Sequence, residues 1–271
     1  MRIGQVGDNA ENIFLRHSPG APLSACVGVD DVSGNPLRLV FEEASQTNVM
    51  IVGRSPEAAL GMCTTMLLDL ASQIVTTPDR AKIYTTPPFS ILDYLGTSEA
   101  GVFTDAAMAL PLPTKLERAT DTEMTTLKDF QHELVSRGRR TESDRHPKFM
   151  FLCGLQAAHG VRDRGFYRPD VNPHATKFAR ILHEGPAYSL HVIVWCNSFA
   201  NIELTMTDGL APFRHVIVLG ESDQSPFAKV DRGSRNQSWY VDQGQDSVVP
   251  MTPFGLPSGA WCEEVVGAFG N

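Results

Sequence analysis

Short, continuously apolar runs alternate along this chain with longer stretches whose apolar residues recur every three to four positions. Asn48-Val49-Met50-Ile51-Val52-Gly53, Phe149-Met150-Phe151-Leu152-Cys153, Leu190 to Cys196 and His215 to Leu219 are runs of the first kind. Without polar alternation, such runs predict strands buried on both faces, with Trp239-Tyr240-Val241 a further short strand. Leu60, Cys63, Met66, Leu67, Leu70 and Ile74 follow the helical period, with Ser55 placed as N-cap and Pro56 at the first helical position. A second helix is expected after Thr120-Asp121-Thr122-Glu123, which has capping-box form; Met124, Leu127, Gln131, Leu134 and Val135 mark its face and Gly138 its stop. A third carries Phe178, Ile181 and Leu182 and ends at Gly185-Pro186.

Ahead of these units, Leu23 to Phe41 reads as a hairpin around the turn cluster Asp30-Asp31-Val32-Ser33-Gly34-Asn35-Pro36. A short strand is expected from Ala81 to Tyr84, and the Pro- and Gly-punctuated stretch up to Thr114 yields no clear element. Strands separated by helices imply one α/β domain with a mostly parallel sheet covered on both faces. The expected core spans residues 23–250 within a single domain over 1–271, and 251–271, with Pro253 to Pro257 and Trp261, form a tail that docks on it.

The five cysteines, Cys26, Cys63, Cys153, Cys196 and Cys262, are odd in number and mostly embedded in apolar runs. That pattern suits buried, reduced thiols and a cytoplasmic setting. No uninterrupted apolar run reaches the ~18 residues of a membrane span, and the first residues lack a signal-peptide core. The eight histidines form no HxxxH pair, and no Cys-x-x-Cys occurs, so a zinc site is not expected. Gly220-Glu221-Ser222-Asp223-Gln224 approaches a nucleophile elbow but lacks its final glycine.

Net charge is −8, which disfavours a surface that binds nucleic acid everywhere. The distribution is uneven. From Arg137 to Arg168 there are eight cations and three acids, a local +5 against −13 elsewhere. Arg137, Arg139, Arg140, Arg162, Arg164 and Arg168 are therefore the candidate nucleic-acid contacts, with Phe166 and Tyr167 between them.

Several segments together resemble the FtsK/SpoIIIE-type motor domain. The hairpin precedes the strand ending in Gly53, and Glu133-Leu134-Val135-Ser136-Arg137 stands where that family has a Glu-Met-x-x-Arg-Tyr-like turn. Phe178 to Asn197 is similar to its helix, turn and "IHLILATQ" strand. Ala211-Pro212-Phe213-Arg214-His215-Val216-Ile217-Val218-Leu219, followed by Ser222-Asp223-Gln224-Ser225, is similar to its "FPTRIAL" strand and downstream Asp-Ser. The resemblance covers roughly residues 23–250. It implies a RecA-like P-loop fold with an N-terminal β-hairpin, from a family that pumps DNA, with relatives in conjugation and type VII protein secretion.

A phosphate loop requires glycines that let backbone N–H groups wrap phosphate, a Lys for the β/γ-phosphates and a hydroxyl on Mg²⁺. Here Gly53 stands at the first glycine, but the Gly-Lys-Ser/Thr positions fall on Ala58, Ala59 and Leu60. The acidic pair of the Walker B strand falls on Cys153-Gly154, and the family's polar sensor on Asn197. Arg54 and Ser55 could still hold an anion at the helix start. The resemblance thus implies a catalytically inactive motor-like module, structural or regulatory, working beside an active ATPase domain or subunit. No cofactor is expected beyond weak ATP or anion binding, and DNA contact is weak at most. Two alternatives stand: an active DNA translocase with an unorthodox phosphate loop, and an unrelated α/β binding protein.

Overall fold

A computed structural model describes residues 21–44, 46–75, 86–96, 98–118, 124–139, 145–162, 173–220, 225–228, 230 and 237–269. Its strands are β1 (Leu23–Asp30), β2 (Pro36–Phe41), β3 (Val49–Val52), β4 (Phe89–Asp93), β5 (Thr114–Arg118), β6 (Lys148–Cys153), β7 (Leu190–Cys196), β8 (His215–Val218), β9 (Ser238–Asp242) and β10 (Ser247–Pro253). They form one ten-stranded sheet in the order β2-β1-β10-β9-β8-β3-β7-β6-β4-β5. The strands from β8 through β5 are parallel, and β9, β10, β1 and β2 extend the sheet antiparallel to their neighbours. The expected hairpin is present as β1 and β2, its turn held by the Asp30 carboxylate, which accepts from the Val32 N–H at 2.8 Å and the Ser33 hydroxyl at 2.7 Å.

The helices are α1 (Pro56–Val75), α2 (Ser98–Ala109), α3 (Thr125–Arg137), α4 (Pro173–Glu184), α5 (Phe199–Thr205) and α6 (Gly259–Ala268). From β3 the chain moves outward to β4 and β5 through α1 and α2, then reverses through α3, α4 and α5 back to β8. Right-handed crossovers place helices on opposite faces when the direction reverses. Accordingly α1, α2 and α6 pack with Val49, Ile51, Phe149, Phe151, Ile193 and Trp195 on one face. α3, α4 and α5 pack with Met50, Val52, Met150, Leu152, Val192 and Val194 on the other. The reversal leaves β3 between β7 and β8, the position at which open α/β sheets form a ligand crevice at the strands' carboxyl ends.

Residues 86–114, unreadable from the sequence, are a β4-α2-β5 unit. The buried stripe of α2 is Ala100, Phe103, Ala106 and Ala107, so alanines carry most of a period that larger residues would have announced. The expected strand at 81–84 and capping box at 120–123 lie outside the described residues. Glu117 at the end of β5 accepts from the N–H groups of Thr125 and Thr126, at 2.9 and 2.7 Å, and so caps α3. The helix presents Leu127, Phe130 and Leu134 to the core; Val135, placed on that face by the sequence, is 40% exposed. Gly138 ends the helix as expected.

One sequence expectation is corrected at the chain's carboxyl-terminal part. The boundary at 250/251 cuts through β10, which inserts between β9 and β1, so the core extends to Pro253. Beyond it, Phe254 is buried, and the backbone of Gly255 crosses α1 so closely at Gly61 that a Cβ there would stand 2.3 Å from a carbonyl carbon. α1 itself is long and apolar enough to cross a membrane by composition, although counting uninterrupted runs missed it. The domain covers it: 94% of the apolar stretch is buried.

The carboxylate on α1, Asp69, points at the hairpin. It accepts from the Cys26 N–H at 3.0 Å, from Arg38 at 2.6 Å and from the Gln73 amide at 2.9 Å. Burial raises its pKa to about 6 despite the neighbouring Arg38 guanidinium. This cluster ties the hairpin to the first helix.

Candidate functional site

Gly53, Arg54 and Ser55 link β3 to α1 at the switch point. Gly53 has φ +145° and lies against Leu219, the residue after β8; a Cβ would meet the Leu219 Cβ at 2.6 Å. Only glycine fits that backbone path. Its N–H donates to the Cys196 carbonyl at 3.0 Å, and its carbonyl accepts from the Trp195 indole N–H at 3.0 Å. Both backbone groups of the first loop residue are thus turned into the sheet.

The helix start that follows is also occupied. Pro56 has no N–H to offer. The Ala58 N–H donates to the Ser55 hydroxyl at 3.4 Å, and the Ala59 N–H to the Ser55 carbonyl at 3.0 Å. Ser55 is therefore the N-cap expected from the sequence. Glu57 is exposed in the first turn, a carboxylate where an anion would dock, beside exposed Arg54. Ala58, Ala59 and Leu60 are fully buried in the α1 core.

The neighbouring strand ends are equally packed. Cys153 is 1% exposed, and a hydrogen bond with the Cys63 thiol together with burial holds its own thiol protonated, well above the ordinary range. The Gly154 N–H donates to the Trp195 carbonyl at 3.2 Å. Asp93, at the end of β4 and paired in register with Cys153, is 6% exposed and accepts from the Leu95 N–H at 2.9 Å. The Asn197 side-chain oxygen accepts from the Asn201 amide at 2.6 Å, and its N–H donates to the Gln156 side chain at 3.2 Å. Among the described residues no three His, Cys, Asp or Glu side chains gather as metal ligands.

The structure brings Gly53, Cys153, Gly154 and Asn197 to one end of the sheet, as the sequence order required. Trp195 is the residue that reading missed. Its parity with Ile193 puts the indole on the same face as Ile51, directly beneath the loop, and the alternation of β7 against β3 was available as a signal.

The described part of the basic window does not converge. Arg140, Arg164 and Arg168 lie outside the described residues. Arg137 is corrected from surface contact to core: it is 2% exposed and donates to Glu133 at 2.9 Å, to the Tyr188 and Ser189 carbonyls at 2.7 and 3.3 Å, and to the His146 carbonyl at 2.7 Å. Those partners saturate its fork where α3 meets the sheet. Arg139 is exposed and precedes β6, whereas Arg162 follows it and donates to the Gln156 carbonyl at 2.9 Å. The six residues of β6, ~20 Å of strand, separate them.

No protein-family model matches the chain and no curated protein does. Among solved structures, the cytoplasmic domain of EssC superposes with a TM-score of 0.62 at 14% identity, over 93% of this chain and 46% of that one. The cytoplasmic domain of the Thermomonospora curvata type VII secretion ATPase EccC gives 0.63 at 15% identity, over 99% of this chain and 34% of that one. This chain has their ATPase fold.

The pCW3 conjugation coupling protein TcpA, solved with ATPγS, gives 0.61 at 10% identity, over 94% of this chain and 74% of that one. The RecA-like ATPase architecture implied by the sequence resemblance is therefore the observed one. The chain spans less than half of the EssC and EccC chains, so it corresponds to one module of a longer arrangement in those proteins.

Proposed function

We propose that the chain is a nucleotide-silent module of a secretion- or coupling-type machine, placed on the cytoplasmic side and working beside an active ATPase domain or subunit. The observation that carries this reading is the filled loop: Trp195 and Cys196 engage both backbone groups of Gly53, and Leu219 closes the space above it. Ala59 stands at the lysine position and Cys153-Gly154 at the acidic pair. Charge-assisted hydrogen bonds contribute about 1.5–3 kcal/mol each, so losing two or three weakens nucleotide binding by roughly 10³–10⁴-fold. Glu57 adds repulsion at the remaining helix terminus.

The described basic residues, with Arg137 buried and Arg139 and Arg162 on either side of β6, support a structural or protein-handling role over DNA gripping, since phosphate affinity depends on clustered cations. ATP hydrolysis by the purified chain should equal that of a contaminant-free blank. Turnover above it that falls in an Arg54→Ala, Ser55→Ala double variant would establish instead an active translocase with an unorthodox loop.

A further inference from the structure

The two edges of the sheet are finished differently. β2 opens on Pro36, which has no N–H, and its far end turns back onto the molecule: the Phe41 ring packs edge-on against Phe149 at 5.0 Å, and the Val40 carbonyl lies 3.3 Å from His215 Nε2. β5 is the other edge. It pairs with β4 on one side, and on its free side no backbone hydrogen bond forms among the described residues. Thr114 to Glu117 are half-buried and Arg118 is exposed. Every second residue of such a strand offers an unused N–H and C=O to a further strand.

The side chains determine which strand fits. Leu116 packs with the α2 core on one face, and Lys115 and Glu117 meet α3 on the other. Lys115 gives one of its three ammonium N–H groups to Asp129, and Glu117 Oε1 accepts from the Thr125 N–H, so each keeps capacity for a further partner. A second β5 laid antiparallel about a two-fold axis through Leu116 sets Lys115 opposite Glu117 twice, Leu116 opposite Leu116 and Thr114 opposite Arg118. Directly opposite residues share a face, so unlike charges meet. Moving the axis to Lys115 sets lysine against lysine, and moving it to Glu117 sets glutamate against glutamate, each with a shorter overlap. Leu116 is therefore the favoured centre. The helices that flank β5 on opposite faces each leave a large apolar side chain exposed, Met108 of α2 at 59% and Val135 of α3 at 40%.

We propose that a second copy of this chain pairs with the β5 edge, antiparallel about Leu116, so that two ten-stranded sheets become one. β7, β6 and β4 lie between β5 and the strand that leads into the Gly53 loop, so the pairing does not depend on nucleotide.

Sedimentation velocity of the full chain over ~1–200 μM, a range suited to a short interface, should show a reversible monomer–dimer equilibrium. Lys115→Glu should weaken the dimer ~10-fold or more by setting glutamate against Glu117. Glu117→Lys should do the same, and mixing the two variants should restore association, because each charge then faces its opposite. In the unsubstituted protein, hydrogen exchange within residues 114–118 should slow as concentration rises, which keeps the test decisive if loss of the Glu117 cap unfolds a variant. A monomer throughout the range, a dimer unchanged by Lys115→Glu, exchange in β5 that ignores concentration, or folded variants that stay monomeric when mixed would overturn the proposal.

Discussion

The two ends of the parallel strands differ in chemistry. At the carboxyl ends lie buried thiols, an indole and an amide, Cys153, Trp195, Cys196 and Asn197, with one buried carboxylate, Asp93, beside Cys153. At the amino ends lie Lys148, His191 and His215, with Arg137 and Glu133 from α3. A nucleotide site needs charge at the carboxyl ends, where phosphate and Mg²⁺ would sit. Here the buried cations, Arg137 and Lys148, have their partners at the other end, and the strand ends beneath the loop are filled by packing. On the function proposed above, the same architecture is kept for its shape without charges that serve phosphate.

The largest effect that separates the two ends concerns Arg137. Arg137→Met removes the guanidinium that donates to the Tyr188 and His146 carbonyls and to the Glu133 carboxylate, and should cost about 3–5 kcal/mol in urea unfolding. Arg139→Ala, two residues on and exposed, should change stability by less than ~0.5 kcal/mol. Equal effects would mean that Arg137 is a surface cation after all.

Acid should act next, and at the amino end. Burial pushes the His191 imidazole down to about 3 and His215 to about 4. His191 stacks on Phe149, and its Nε2 is buried without a hydrogen-bond partner. Below pH ~6.5 the unfolded chain takes protons that the folded one refuses, so stability falls by about 1.4 kcal/mol per pH unit for each histidine until its folded pKa is reached. Asp69 works in the opposite direction. Raised to about 6, it is protonated in the folded state before the unfolded one, so acidification to ~4 offsets roughly one histidine's loss. A net loss on the order of 3 kcal/mol is expected between pH 7 and pH 4. Stability that stays flat over this range would show that the buried imidazoles are not neutral.

At the carboxyl end, Gly53→Ala tests how tightly the loop is closed. A methyl group at φ +145°, with Leu219 within 2.6 Å, should cost about 2–3 kcal/mol. A neutral substitution would mean that the loop has room to open.

The sequence made one of these ends more legible than the other. Continuous apolar strands, the Ser55-Pro56 helix start and the turn at Asp30 to Pro36 are strong local signals, and each element they predict is present. Segment order alone put Ala59 and Cys153 at the lysine and acidic positions as an expectation, and the structure shows both buried. What fills the space could not, because it depends on β7 lying beside β3, a pairing between residues about 140 positions apart. The burial of Arg137 was hidden for a similar reason: its partners Tyr188 and Ser189 arrive from beyond β6, while charge counting sees only an arginine-rich window. β10 was missed because Val248-Val249-Pro250-Met251 straddles the boundary drawn at 250/251 and carries a proline, and only β1 and β9 supply its partners.

The central claim is that the Gly53 loop is closed to nucleotide, and the Trp195 indole reports on it directly. Its N–H donates to the Gly53 carbonyl. In a nitrogen-15 spectrum, with the resonance assigned by Trp195→Phe, titration with Mg-ATP to ~1 mM, the upper range of ordinary substrate affinities, should leave the signal in place. A saturable shift of that resonance, lost in an Arg54→Ala, Ser55→Ala double variant, would contradict the account.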